Sequence, residues 1–337
     1  MLIIAEIAQA HEGSLGIAHS YIDALAASGV DAVKFQTHIA EAESSEFESF
    51  RVKFSYEDET RFDYWKRMEF TLEQWKGLKK HCDEMGVEFI SSPFSCAAVD
   101  LLEVVGVQRY KIGSGEMTNY LMLEKIARTG KPIILSSGMS DYKELEECMA
   151  FLKPFGNELS LLQCTTAYPT QPEQWGLTEI PKLRDRFNIP IGYSDHSSDI
   201  TACIAATALG AAILEFHAVF DKNMFGPDAK ASLDLVEIKQ LVQSVRKLER
   251  SFHYRLDKTD ISSYKELKVL FGKSLSVNKD LYEGHILTME DLESKKPGNR
   301  GISAKDLRAV LGKKLNKPLT KWDFIKAEDL EQFTGYE

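Results

Sequence analysis

Pro190-Ile191-Gly192-Tyr193-Ser194-Asp195-His196-Ser197 leads, through a run of small apolar residues, to Gly210-Ala-Ala-Ile-Leu-Glu-Phe-His217. Pro190 to Tyr193 reads as a short buried strand, and Ala202 to Leu209 as a helix that Gly210 ends. Ala212 to Phe216 reads as a second strand. Two histidines, His196 and His217, therefore follow consecutive strands of one strand–helix–strand unit. In a parallel β/α architecture both lie at the C-terminal edge of the sheet. Neutral imidazoles so placed can share one divalent ion. The alternative is that each histidine only hydrogen-bonds near a strand end.

Working outward, the same rhythm recurs up to about residue 250. A helix-like segment ends at a glycine, and a short apolar strand follows within a few residues. Gly29, Gly86, Gly106, Gly130 and Gly156 mark such ends, and Asn188-Ile-Pro190 does the same before Ile191. Glycine ends a helix because it takes the left-handed conformation without a Cβ penalty. With Leu2 to Glu6 as the first strand, the count is eight, which predicts a (β/α)8 TIM barrel. A doubly wound open sheet is the alternative, but no G-x-G-x-x-G follows the first strand. Leu15 to Ser28 and Asp234 to Ser251 carry apolar stripes at helical spacing. Residues 38–70 break the rhythm; they are acidic and aromatic, and so long a loop at the active face is more often functional than idle.

After residue 252 the pattern changes. Residues 253–272 read as a charged linker with a helical piece, and residues 273–337 as a small α+β domain. There Val277 to Leu292 aligns with Leu315 to Leu330: Asn, Lys, Leu, Glu, Asp and Leu coincide. The repeat predicts a pseudo-symmetric unit with short strands and one helical turn at each Glu-Asp-Leu. Between the copies, Lys295 to Ser303 is a basic Gly/Pro loop suited to meeting an anion.

Bulk properties narrow the function. A net charge of −10 over 337 residues argues against a broad nucleic-acid or anionic-membrane surface. Five scattered cysteines without C-x-x-C suit a reducing, cytoplasmic setting. Met1 to Glu6 reads as a strand, not a signal peptide. The most apolar stretch, 202–214, is broken by Gly210 and falls short of the roughly 18–20 residues a membrane span needs.

Catalytic groups of a barrel come from strand C-termini. Those positions hold Glu6, Lys34, Gln36, Ser92, Lys111, Ser114, Ser136, Gln163 to Thr166, Ser194, His196, Glu215 and His217. Two lysines, several hydroxyls, carboxylates and two histidines describe a pocket for a small, highly charged anion beside a metal. Lys111-Ile-Gly-Ser-Gly-Glu116 adds a glycine-rich loop able to hold phosphate or carboxylate oxygens. Glu116, next to Lys111, is a candidate proton carrier.

Eight ordered blocks carry a family resemblance. They are Ala5-Glu-Ile7 with His11-Glu-Gly-Ser14, Val33 to His38, Ile90 to Phe94, Tyr110 to Glu116, Ile134 to Met139, Cys164 to Pro169, Gly192 to His196, and Gly226-Pro-Asp228. The chain resembles the bacterial sialic acid (N-acetylneuraminate) synthase family, close to the legionaminate synthases. Residues 273–333 are similar to the antifreeze-like (SAF) domain of those enzymes. The resemblance implies condensation of phosphoenolpyruvate (PEP) with an open-chain N-acetylmannosamine-type sugar and water. The products are a nine-carbon 3-deoxy-2-keto sugar acid and phosphate. It implies Mn²⁺ or Mg²⁺ held by His196 and His217, with PEP on Lys34, Ser92, Lys111, Ser114, Ser136, Thr166 and Ser194. It places the sugar against Gln36, Phe94, Tyr168, Asp228 and Lys296, and assigns catalytic positions to Glu12, Glu116, His196 and His217. It also implies a homodimer in which each SAF domain covers the partner's barrel.

Three positions depart from the family pattern. Thr166 stands where N-acetylneuraminate synthases have Asn, and Cys164-Thr-Thr-Ala-Tyr-Pro169 looks more like the legionaminate synthases, which take a 2,4-diacetamido-2,4,6-trideoxy sugar. Residues 224–233 lean the same way. Lys296 replaces an Arg that reaches the partner's sugar site in the family; it keeps the charge but loses the planar fork, and Arg300 is a nearby candidate to replace it. Glu215-Phe-His217 lacks the basic residue that precedes the histidine in the family. Another PEP-dependent synthase, such as one making 3-deoxy-octulosonate 8-phosphate, would need an extra basic cluster, and a non-catalytic sugar-binding protein would not need the intact lysines and histidines.

Overall fold

The computed structural model describes residues 1–51, 55–254 and 256–331. It divides into two compact units, Met1–Tyr254 and Arg255–Glu337.

The first unit is a closed barrel of eight parallel strands in sequence order. They are β1 (Leu2–Ala8), β2 (Ala32–Thr37), β3 (Glu88–Pro93), β4 (Tyr110–Ile112), β5 (Ile133–Ser136), β6 (Leu159–Cys164), β7 (Ile191–Asp195) and β8 (Ile213–His217). The eight strands expected from the sequence are all present. The glycines that mark the helix ends, Gly29 to Gly210, take φ between 72 and 87°, as left-handed caps require. The expected helices form at Leu15–Ser28, Ile200–Ala208 and Leu235–His253. The last is capped by Asp234, whose carboxylate accepts from the Val236 and Glu237 amides. β4 is shorter than its apolar run: after the Gly106 cap, residues 107–109 serve as the connection.

Side chains alternate along a strand with a period of two, and that period layers the barrel. Ile4, Ala32, Ile90, Ile134, Leu162 and Ile213 form a buried apolar cluster inside it. Gly192 completes this layer, where a Cβ would lie 2.4 Å from Leu162 Cδ2 and 2.5 Å from the Ile213 carbonyl oxygen. Two residues further along the same strands stand Glu6, Lys34, Ser92, Ser136, Cys164, Ser194 and Glu215, all lining one cavity. The sequence thus sets a polar layer directly on an apolar floor. A separate, larger apolar shell, including Tyr21, Phe35, Trp75 and Leu241, joins the strands to the surrounding helices.

Residues 38–70 are not a bare loop. They carry helices Ala40–Glu43 and Arg61–Met68, the second opened by a Thr60–Asp63 capping box. Ala40, Tyr64, Trp65 and Met68 form a small core of their own with Phe50 and Phe62.

The second unit contains the antiparallel pair β9 (Ser274–Val277) and β10 (Leu292–Lys295). The repeat read from the sequence is a structural repeat. Each Glu-Asp-Leu lies at a single helical turn, Met289–Asp291 and Ala327–Asp329. Asn278 and Asn316 donate their amides to the Asp291 and Asp329 carbonyls at 2.9 Å each. Lys279 and Lys317 reach the Asp291 and Asp329 carboxylates at 2.7 Å each. Leu281 and Leu319 join the copies through mutual backbone hydrogen bonds of 2.8 and 3.0 Å. The linker holds the helix Lys265–Phe271. Among the described residues no helix is long and apolar enough to cross a membrane.

Candidate active site

The cavity at the C-terminal ends of the strands has a volume of about 270 Å³. Its floor is an ionic quartet contributed by four strands. Lys34 Nζ lies 2.7 Å from Glu6 Oε2 and 3.6 Å from Glu215 Oε1, and Lys111 Nζ lies 3.0 Å from the same Glu215 oxygen. Lys34 also donates to Ser92 Oγ, and Ser194 Oγ donates to Glu215 Oε1 at 3.2 Å. All four charged residues are at most 4% exposed. Ions this buried persist because they satisfy one another. Burial alone would raise Glu6, but the Lys34 ammonium, with His217 and Lys111, holds its carboxyl well below the usual range. Burial likewise opposes the charge on Lys111, yet Glu215 and Glu6 raise it. Glu215 Oε2 and Ser136 Oγ are buried without a protein partner.

One step up the strands stand the histidines. Their rings are 5.3 Å apart between centroids and inclined at 54°. His196 Nδ1 pairs with the Thr165 carbonyl at 3.0 Å. As a donor there, that nitrogen leaves Nε2 with its lone pair. His217 Nε2 is 3.8 Å from Glu6 Oε2, and burial lowers His217 so that it is held as the neutral imidazole. Burial would also lower His196, but the Cys164 thiol at 3.9 Å and the Thr165 carbonyl push it up to about 9. A cation at Nε2 competes with that proton. Among the described residues no group of three or more His, Cys, Asp and Glu is arranged to hold a metal. His196 and His217 are two imidazole donors at one cavity, and a divalent ion on them would keep water or substrate oxygen in its remaining positions.

The walls come from the following loops. Ser114 begins a short turn, Ser114–Glu116, and its Oγ accepts from the Gly138 amide at 3.2 Å. A Cβ at Gly138 would fall 2.5 Å from Thr166 Oγ1 and 2.6 Å from Ser114 Oγ, so only glycine lets these three loops meet. Gln36 donates to Glu6 Oε1 at 2.6 Å and accepts from Gln9. His38 stacks between Trp65 at 3.7 Å and Phe94 at 4.4 Å, with Glu43 on its Nδ1. Tyr168 packs 4.2 Å from the His196 ring.

Most of the residues singled out in the sequence meet here. Lys34, Gln36, Ser92, Phe94, Lys111, Ser114, Ser136, Thr166, Tyr168, Ser194, His196, His217 and Asp228 all line the cavity. Three do not. Glu12, at φ +48°, turns toward Arg67, whose Nη1 donates to its carboxylate at 2.9 Å, and it lines a neighbouring pocket with Tyr56, Glu57 and Phe225. Glu116 Oε2 accepts from the Asn119 side chain at 2.7 Å. Burial raises its pKa. Lys296 is an exposed residue of the second unit, its ammonium 4.9 Å from the Phe271 ring centroid.

The family profile of the NeuB family matches residues 21–255, and that of the SAF domain residues 272–331. The chain belongs to the NeuB family. This NeuB chain is 37% identical over 331 residues to N,N'-diacetyllegionaminic acid synthase of Campylobacter jejuni subsp. jejuni serotype O:2, covering 96% of this chain and 98% of that protein. It is 35% identical over 333 residues to the human N-acetylneuraminate-9-phosphate synthase, covering 97% and 91%. Among solved structures it is similar to the N-acetylneuraminic acid synthetase of Leptospira borgpetersenii serovar Hardjo-bovis, solved with citrate. The TM-score is 0.71 at 29% identity, over 79% of this chain and 90% of that one.

The NeuB cavity also contains residues that sequence reasoning left without a role. Glu6 and Glu215 were visible as strand-end carboxylates, but their shared grip on two lysines is a cross-barrel contact that strand periodicity does not reveal. Gln9, His38, Arg51, Arg61 and Trp65 line the cavity too. The last four come from the long segment after β2, whose length and acidic, aromatic composition marked it without giving any of them a role.

Proposed function

We propose that this NeuB chain is a nonulosonic acid synthase joining PEP to an open-chain N-acylated amino sugar. The observation that carries the reading is a single cavity in which buried Lys34 and Lys111 lie beneath His196 and His217. The quartet is close to neutral, so the lysines alone do not offset a trianionic ligand; a divalent ion held by the two imidazoles would. His196 and His217 would hold that ion, which supplies Lewis-acid polarisation of the acceptor's aldehyde.

Lys34 and Lys111 bind the carboxylate and phosphate of PEP, aided by the hydroxyls of Ser92, Ser114, Ser136 and Ser194 and by Thr166. Gln36, Phe94, Tyr168 and Asp228 orient the acceptor so that PEP C3 forms its bond to the aldehyde carbon, whose oxygen takes a proton. Water adds at C2, giving up a proton, and the bond from C2 to the phosphate oxygen breaks. Glu215 Oε2, buried without a protein partner in the cavity wall, is an acceptor that can orient this water. Glu116, outside the cavity lining with its Oε2 on the Asn119 side chain, would have to swing inward to serve as the acid for the sugar oxygen.

Thr166 favours a second reading for the acceptor, a 2,4-diacetamido-2,4,6-trideoxymannose instead of N-acetylmannosamine. The similarity to a diacetyllegionaminic acid synthase supports it. In the linker, Ile261, Tyr264, Leu267, Val269, Leu270 and Phe271 are all exposed. Such a patch is what a second copy would cover in a homodimer.

The test is phosphate release from PEP with Mn²⁺ and each acceptor in parallel. The preparation should run at twice the chain mass in light scattering. Release with either sugar is expected, and the preferred one names the product. No release with any N-acylated mannose would overturn the synthase reading, and a monomeric mass would overturn the dimer.

A further inference from the structure

The segment after β2 places one residue over the acceptor side of the cavity. Arg51 lies with its guanidinium carbon 4.2 Å from the Tyr168 ring centroid. Its Nη2 donates to Asp228 Oδ1 at 2.9 Å. It thereby spans the loops after β6 and β8, and it lines the cavity beside Trp65 and Phe94. A guanidinium carries five N–H donors in a planar fork. Among the described residues Asp228 engages one of them. Its contact with the Tyr168 ring restrains the guanidinium without using any donor.

We propose that Arg51 is a specificity-determining residue that donates to an uncharged acyl or hydroxyl oxygen on the acceptor sugar. The proposal rests on the synthase reading and deepens it. The charge at this end of the cavity decides the class. Asp228 compensates Arg51, and Arg61, also in the wall, lies 3.4 Å from Glu48. An anionic substituent would have to displace a carboxylate already in place. An amide carbonyl or hydroxyl takes the remaining donors without disturbing either pair. Because Arg51 stands on the rim and touches none of the quartet, it acts on the acceptor and not on PEP.

The test is steady-state kinetics of Arg51→Ala, Arg51→Lys and Arg51→Gln in the full-length, Mn²⁺-loaded protein. The acceptors are N-acetylmannosamine, its 6-phosphate, and 2,4-diacetamido-2,4,6-trideoxymannose. Loss of a multi-donor contact should raise the acceptor KM about tenfold or more while the PEP KM stays within about twofold. Arg51→Lys should not restore it, because an ammonium lacks the flat fork. The parent should prefer an unphosphorylated acceptor. Unchanged acceptor KM in all three variants, equal rises for both substrates, or a parent preference for the 6-phosphate that Arg51→Ala abolishes would overturn the proposal. Those outcomes leave the synthase reading standing; a parent that releases no phosphate with any of the three acceptors overturns both. Arg51 is 46% exposed in its side chain, so the variants should keep the parent's melting temperature.

Discussion

A His217→Ala variant should lose phosphate release by about 10³-fold or more, since removing Lewis-acid polarisation forfeits several kcal/mol of barrier lowering at about 1.4 kcal/mol per decade. The argument rests on the count of donors. Two imidazoles face the cavity from adjacent strands, and among the described residues no group of three or more His, Cys, Asp and Glu is arranged to hold a metal. Losing one of two ligands is therefore worse than losing one of four. His217 also adjoins Glu6 of the quartet, so on the proposed reading an ion lost there removes positive charge where the trianionic substrate would bind. Activity should be titrated with Mn²⁺, and the metal stoichiometry measured by calorimetry on the same variant. His196→Ala should behave alike, and circular dichroism should show both barrels folded. Retention of more than a tenth of the activity at saturating Mn²⁺ by either variant would sink the two-histidine assignment.

Lys111→Met should combine a loss of stability with a loss of turnover. The substitution leaves Glu215 buried, with Lys34 at 3.6 Å as its remaining cation. Breaking a buried pair by removing one partner costs about 3–5 kcal/mol; Lys34 and Ser194 reduce this to about 3 kcal/mol. For a unit of this size the melting temperature should fall by about 6–12 °C. Adding Glu215→Gln removes the uncompensated charge and should restore most of the melting temperature. It should not restore catalysis, because the ammonium proposed to bind PEP is still missing. Turnover in both variants should remain lower by about 10³-fold, as expected when a charge-assisted contact to a transferring group is removed. Thermal melts and phosphate release on the single and double variants decide the matter. A double variant no more stable than the single one would show that Glu215 does not depend on Lys111.

Much of this was legible before any coordinates. Glycine-terminated helices counted eight strands correctly because a left-handed cap is a local requirement, and local requirements are written in adjacent residues. The strand-end lysines, serines and histidines converge because closure of the barrel brings every strand's C-terminus to one rim. The rest was not local. Glu215 was seen as an oddity two residues before His217, yet its role comes from Lys111 on β4, across the barrel. Glu12 sits in a block shared with the family, but its positive φ and Arg67 turn its carboxylate into a neighbouring pocket. Neither the backbone angle nor the partner 55 residues away can be inferred from neighbouring residues. Arg51 and Trp65 belong to a segment with no periodicity, so its aromatic core and its place in the cavity wall emerge only from tertiary packing.

The apolar floor beneath the quartet has a consequence for traffic. Ile4, Ile90, Ile134, Leu162 and Ile213 fill the barrel below the quartet, so the barrel is a cup and not a tube. Arg51, Trp65 and Tyr168 line the same cavity as Lys34 and Lys111. On the proposed reading the acceptor lies against these residues, above the lysines, so the phosphate-bearing substrate enters first; product-inhibition patterns would report a compulsory order, and a random order would speak against it.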